Sequence, residues 1–206
     1  MRALAVSYFQ SASFADLQPS TQSVYRNVAE AFCRQHGDKR AALLRREHIE
    51  RLMGSRSDRP DGANGLLKVL RAMMKHAVKT GIRADDPTSG VAKLQPKSKT
   101  GFHRWTDSEI AQFEAHNPIG SKARLALALG FYTAQARQDV IEMGPQHIRD
   151  EVLYWVRKKM AHTTGTELAI PVHPGLRAII DATPSGHLTF LITELGKPFT
   201  AAGFGN

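Results

Sequence analysis

From Ala92 to Arg104 the sequence has no hydrophobic periodicity, carries Lys93, Lys97, Lys99 and Arg104, and is interrupted by Pro96 and Gly101. Such a stretch reads as an exposed basic linker, so the chain divides around it. The boundary on its far side is sharp. Thr106-Asp107-Ser108-Glu109 has the spacing of a capping box, in which the threonine hydroxyl accepts from a backbone amide and the glutamate reaches back to the cap. Residues 1–91 are therefore expected to form one domain, 92–105 a linker and 106–206 a second domain.

The first domain reads as helices joined by short turns. Pro19-Ser20-Thr21 offers a start, and Val24, Val28, Ala31 and Phe32 recur at helical spacing until Gly37-Asp38. Cys33 falls in the same pattern; as the single cysteine it has no internal disulfide partner and is read as a core thiol. A short helix is expected over Arg46–Met53, and a longer one from Pro60, a proline suited to a first helical turn, to Thr80. In that long helix Leu66, Leu70, Met73 and Ala77 form an apolar stripe. Lys68, Arg71, Lys75 and Lys79 line up on a different face. Gly81 ends it, and Asp85-Asp86-Pro87-Thr88-Ser89-Gly90 reads as a turn, because a residue before proline is driven out of the helical region.

The second domain changes character. Ser121 to Ala134 is rich in alanine and leucine and apolar on most faces, as in a helix buried in the middle of its domain. A shorter helix is expected from Asp139 to Met143, stopped by Gly144-Pro145. Val152-Leu153-Tyr154-Trp155-Val156 and Glu167-Leu168-Ala169-Ile170 have the β-branched and aromatic character of two strands about a turn at Gly165. Helix returns from Pro174 to Ala182, a further strand is expected at Leu188–Ile192, and Thr200-Ala201-Ala202 begins another helix. The fold class is mainly α with a small antiparallel β-sheet, α+β.

Charge is distributed unevenly. Through Trp105 there are 19 Lys/Arg against 9 Asp/Glu; after it, 9 against 10. A strongly basic first half beside a nearly neutral second half points to a polyanion, with nucleic acid foremost. No apolar run approaches the roughly 18 residues that span a bilayer, and Ala3-Leu4-Ala5-Val6 is shorter than the ~7 residues of a signal-peptide core. An intracellular, cytoplasmic protein without membrane contact is expected. The nine histidines show no metal-ligand spacing. No Gly-rich phosphate loop and no nucleophile elbow is present, so neither a metal, a cofactor nor a small-molecule substrate is expected.

Four segments in this order resemble the tyrosine recombinases, the phage-type integrases: Asp86-Pro87-Thr88-Ser89-Gly90-Val91, Trp105 to Ile110, Thr133-Ala134-Gln135-Ala136-Arg137-Gln138-Asp139, and Thr164 to His173. Phe190 to Thr200 adds a fifth. The resemblance implies a helical, SAM-like core-binding domain followed by part of an integrase catalytic domain, with duplex DNA and other recombinase protomers as partners. In that family a tyrosine attacks a DNA phosphate, two arginines neutralise the phosphoryl oxygens, and a lysine on a β-hairpin protonates the leaving hydroxyl.

Carried over residue by residue, the chemistry is incomplete. The first-box arginine falls on Ala136, whose methyl donates nothing to a phosphate. Arg137 is one residue late, about 100° around a helix. The hairpin lysine falls on Thr163, leaving Lys158 or Lys159 on the preceding strand as substitutes. The second box and the nucleophile would lie beyond Asn206, and Tyr8, Tyr25, Tyr132 and Tyr154 read as packing residues. Arg137 and Lys159 are thus the candidate catalytic residues of a chain expected to be inactive. Lys68, Arg71, Lys75, Lys79, Lys97, Lys99 and Arg104 are the candidate DNA-binding residues. Asp139 and Glu142 are read as holding the first-box helix, and Trp105 as packing between domains. Two other readings stand beside this one: a non-enzymatic module that interferes with a full-length recombinase, and a helical interaction protein.

Overall fold

The computed structural model describes residues 1–95 and 101–205. Lys97 and Lys99 lie outside the described residues. The chain divides into two units, Met1–Phe102 and His103–Asn206.

The first unit is assembled from α1 (Arg2–Phe9), α2 (Ala12–Ala15), α3 (Pro19–His36), α4 (Arg46–Gly54) and α5 (Pro60–Lys79). Its centre is α5, which starts on Pro60, where a missing N–H costs no hydrogen bond. Leu66, Val69, Leu70, Met73 and Ala77 pack with α1 and α3 around Tyr8, Phe14, Phe32 and Cys33. Another strip of α5, Ala63 and Leu67, packs against Ile49 and Met53 of α4 and against Val91. Burying two strips explains why so many α5 side chains are apolar. Burial of Cys33 pushes its thiol pKa up, in keeping with a core role.

The buried side of α3 is Tyr25, Ala29, Phe32 and Cys33. Val24, 56% exposed, and Ala31 face solvent instead of the core. The apolar residues at 24, 28 and 31 satisfy helical spacing equally well, but the bulk of Tyr25 and Phe32 settles which stripe turns inward. Helices α1 and α2 bury Leu4, Ala5, Tyr8 and Phe14. Ser11 caps α2 by accepting from the Phe14 amide.

Two stretches read as linker hold local structure. The Asn64 side chain donates to the Leu94 carbonyl at 2.8 Å and accepts from its amide at 2.9 Å, tying that residue to α5. At the other end, Glu109 accepts from His103 at 2.9 Å and from the Thr106 amide at 2.7 Å. With Thr106 accepting from the Glu109 amide, the capping box is complete. These hydrogen bonds, first from the Thr106 backbone and then from His103, hold the Glu109 carboxyl below its ordinary range. Trp105 packs on Phe113 of its own unit, with ring centroids 5.4 Å apart.

The second unit contains α6 (Asp107–His116), α7 (Lys122–Thr133), α8 (Arg137–Val140), β1 (Ile148–Arg149), β2 (Val152–Val156), β3 (Glu167–Pro171) and α9 (Pro174–Asp181). The antiparallel sheet runs β1-β2-β3, with Leu153 opposite Ile170 and Trp155 opposite Leu168. Leu153 and Trp155 are buried while their neighbours are half-buried, the alternation of a sheet covered on one face. Leu125 and Leu129 of α7, Met143, and Leu176 and Ile179 of α9 complete that core.

Three expectations change here. Only one stripe of α7 is buried, and Phe131 is 65% exposed. Residues Leu188–Ile192 form no strand beyond one bridge between Ile192 and Pro198. Ser185 and His187 bond instead to the backbone at Thr189, side-chain bonds that compete with a ladder. That segment is nonetheless docked: the Phe190 amide donates to the Met143 carbonyl at 2.8 Å. Gly144 permits the approach, since a Cβ there would sit 1.8 Å from the Leu188 carbonyl oxygen. Finally, Thr200 accepts from the Gly203 amide and leads into a 3-10 turn, Gly203–Gly205, in place of an α-helix. Among the described residues no helix is long and apolar enough to cross a membrane.

Candidate nucleic-acid interface and first-box turn

The α5 face opposite the buried stripe presents Lys68, Lys75 and Lys79 to solvent. Lys68 also places its ammonium 5.7 Å from the centroid of the Tyr25 ring, which positions the charge without neutralising it. Arg71 differs from the other three. It is half-buried, and its Nη2 donates to the Val91 carbonyl at 2.6 Å, so it fastens the end of the 85–91 turn to α5. Arg104 is exposed. Three of the four cations expected on this helix therefore form an exposed row, and the fourth serves the fold.

In the second unit the segment after α7 reverses direction at Ala134, whose φ of 51° is left-handed. That region is uncommon for a residue with a Cβ. Gln135 follows, buried, its side chain donating to the Thr133 carbonyl at 2.8 Å. Ala136 is the exposed N-cap of α8 and makes no side-chain cap. Its carbonyl accepts from the Asp139 amide at 2.8 Å. The turn thus keeps its backbone hydrogen bonds whatever side chain stands at 136.

Asp139 joins this turn to the sheet. Its carboxylate is buried and accepts from Trp155 Nε1 at 3.1 Å and from the Lys158 amide at 2.9 Å. Two charge-assisted bonds to one buried carboxylate fix α8 against the end of β2. Glu142 pairs with the Lys158 ammonium. Both acidic residues hold the box helix.

The candidate catalytic cations lie nearby in sequence but are employed differently. Strand β2 ends at Val156, so Lys158 and Lys159 sit in the following turn and not on a strand. Lys158 is engaged by Glu142; Lys159 is exposed. Thr163, at the expected lysine position, donates to the Met160 carbonyl, which also accepts from the Gly165 amide. Arg137, the first residue of α8, lies against the chain at Gly205, where an added Cβ would come within 1.9 Å of its Nη1. Sequence reasoning overlooked Arg157, whose Nε donates to the buried Gln135 amide oxygen at 2.8 Å. The clue was Gln135, a polar residue immediately after a helix whose inner side is buried. Among the described residues no His, Cys, Asp or Glu cluster has the arrangement of a metal site.

No protein-family model matches the chain, and no curated protein matches it. Solved structures do. A lambda integrase dimer bound to a COC' core site superposes with a TM-score of 0.85 at 18% identity, over 99% of this chain and 74% of that one. A lambda integrase tetramer bound to a Holliday junction gives 0.82 at 18%, over 98% and 62%. The Tn1549 transposon integrase with circular intermediate DNA gives 0.69 at 12%, over 98% and 74%. Nearly all of this chain is aligned, while it spans 60–74% of the lengths of these lambda and Tn1549 structures. At these identities the likeness establishes architecture: the chain has the fold of the tyrosine recombinases.

Proposed function

We propose that this protein binds duplex DNA as a tyrosine-recombinase-type module in DNA integration and recombination, acting in the cytoplasm and without performing strand exchange itself. The observation that carries the reading is the exposed row of Lys68, Lys75 and Lys79 on α5, in the half that holds the chain's excess positive charge. A row of ammonium groups along one helix can lie against a phosphate backbone and release its counterions. Arg104, Lys97 and Lys99 extend the basic set by sequence. Inactivity rests on Ala136 and Thr163, which put a methyl and a hydroxyl where the recombinase pattern has a guanidinium and an ammonium. Arg137 follows Ala136 as the first residue of α8 and lies against the chain at Gly205, and Lys159 is exposed in the turn after β2.

Fluorescence anisotropy with duplex DNA tests binding. Affinity should fall steeply with salt, and the triple change Lys68→Ala, Lys75→Ala, Lys79→Ala should weaken it about 100-fold and remove roughly three ions from the salt slope. Binding indifferent to salt, or to the triple change, would refute the proposal and favour a helical interaction protein. A covalent adduct with a nicked suicide substrate would refute the inactivity. The lambda structures hold dimers and tetramers on DNA, which supports a second reading: occupation of a site beside an active recombinase. Inhibition of such an enzyme on mixing is its expected sign.

A further inference from the structure

In the first unit a cavity of about 640 Å³ opens between the C-terminal end of α3, the segment Asp38–Leu44 and α4. Its interior is apolar, built from Phe32, Leu44 and Leu52. Leu43 is 62% exposed at the mouth. The rim is cationic. Lys39, Arg40 and Arg51 border the opening, and among the described residues none of them pairs with a carboxylate. Asp38 is the acidic side chain at the edge. In the wall, the His36 ring lies 4.9 Å from the Phe32 ring, and its Nε2 is buried without a hydrogen-bond partner among the described residues.

Volume and lining match a small-molecule site, which is typically a concave apolar space of about 300–1,000 Å³ with a few polar groups at one end. They do not match a duplex, whose phosphates gain nothing from an aliphatic interior. The wall also has room to adjust. A second cavity of about 350 Å³ undercuts the other side of the same segment, against Ala3, Leu4 and Ile82. The 3-10 turn Ala41–Leu43 between them buries no residue.

We propose that this cavity binds a small amphipathic carboxylate, of the fatty-acid or arylalkanoate class, with its apolar body on Phe32, Leu44 and Leu52 and its charge at the rim arginines. Charge complementarity sets the sign of the ligand: guanidinium groups donate paired hydrogen bonds to a carboxylate. The interior sets its body, since each methylene removed from water contributes to binding. This site belongs to the first unit alone and stands whether or not the protein binds DNA.

Decanoate and its uncharged counterpart decanol are the probes, titrated calorimetrically into the full chain. Decanoate should saturate at one site and decanol should bind about tenfold more weakly. Arg40→Ser with Arg51→Ser, both exposed positions, should bring decanoate down to the alcohol's affinity and leave the alcohol unchanged. Leu52→Trp should fill the space and abolish both. Equal affinity for the two probes, insensitivity to the double change, or no saturation up to about 1 mM would overturn the assignment. So would a cavity closed by a second copy of the chain, seen as concentration-dependent sedimentation with no decanoate response.

Discussion

The two units differ in how they arrange their cations. In the first, Lys68, Lys75 and Lys79 stand on the outer face of α5. In the second, Lys158 pairs with Glu142, Arg124 with Glu114, Arg177 with Glu151, and Arg157 donates to Gln135. Net charge alone would describe one unit as basic and the other as neutral. The contacts add that the first unit, though it pairs Arg46 with Glu50 and Arg83 with Asp85, leaves a row of cations exposed along one helix, while the second uses several of its cations to join helix, turn and sheet. The proposed binding row and the joints of the second unit are therefore separable by mutation.

The largest separation is expected at Asp139. Changing Asp139→Ala leaves the Trp155 indole and the Lys158 amide without their acceptor and should cost the second unit about 3 kcal/mol. Both tryptophans, Trp105 and Trp155, lie in that unit, so intrinsic fluorescence follows it selectively. A melting transition unmoved by the change would mean that the box is not held through the sheet. A smaller effect is expected from Asn64→Ala, which frees both backbone groups of Leu94 and should cost the first unit about 1 kcal/mol. Faster amide exchange at Leu94, with the tryptophan signal constant, is the measurement.

The smallest contrast is with acid. Burial, then Lys39 and Arg56, lower the His36 pKa from 6.5, with Asp38 opposing. Below 6.5 the unfolded chain takes up a proton that the folded first unit resists, so stability present above 6.5 is lost as pH falls. Glu109 is depressed from 4.5, and its contribution to the second unit persists above 4.5 and is lost only as pH falls through the folded value. On acidification the first unit should soften first, and His36→Leu should remove that early phase. Circular dichroism compared with tryptophan fluorescence across pH decides it; coincident transitions would contradict the ordering.

Much of this architecture was legible because the periodic elements are long. The α5 stripe, α7, the β2 and β3 pair and α9 all announce themselves, since burial of one side imposes a period that propensity reinforces. What escaped was short or locally decided. Helices α1 and α2 have one or two turns each, too few for a period to repeat. The segment at Leu188 has apolar strand-like content, yet Ser185 and His187 bond to its backbone, a competition invisible in composition. Arg71 was placed on the phosphate row by spacing alone, whereas its reach to Val91 depends on where the 85–91 turn returns. In the candidate site, the structural duties of Asp139 and Glu142 were readable from the motif. The link between Arg157 and Gln135 needed the fold, because 22 positions separate them.

Ala134 holds a left-handed conformation that glycine would adopt at lower cost. The turn keeps its shape with a disfavoured residue, so its surroundings dictate the path of the backbone. A path dictated from outside survives the exchange of its side chains. Position 136 then carries one exposed side chain on an intact platform, and an arginine placed there should present its guanidinium without disturbing the turn.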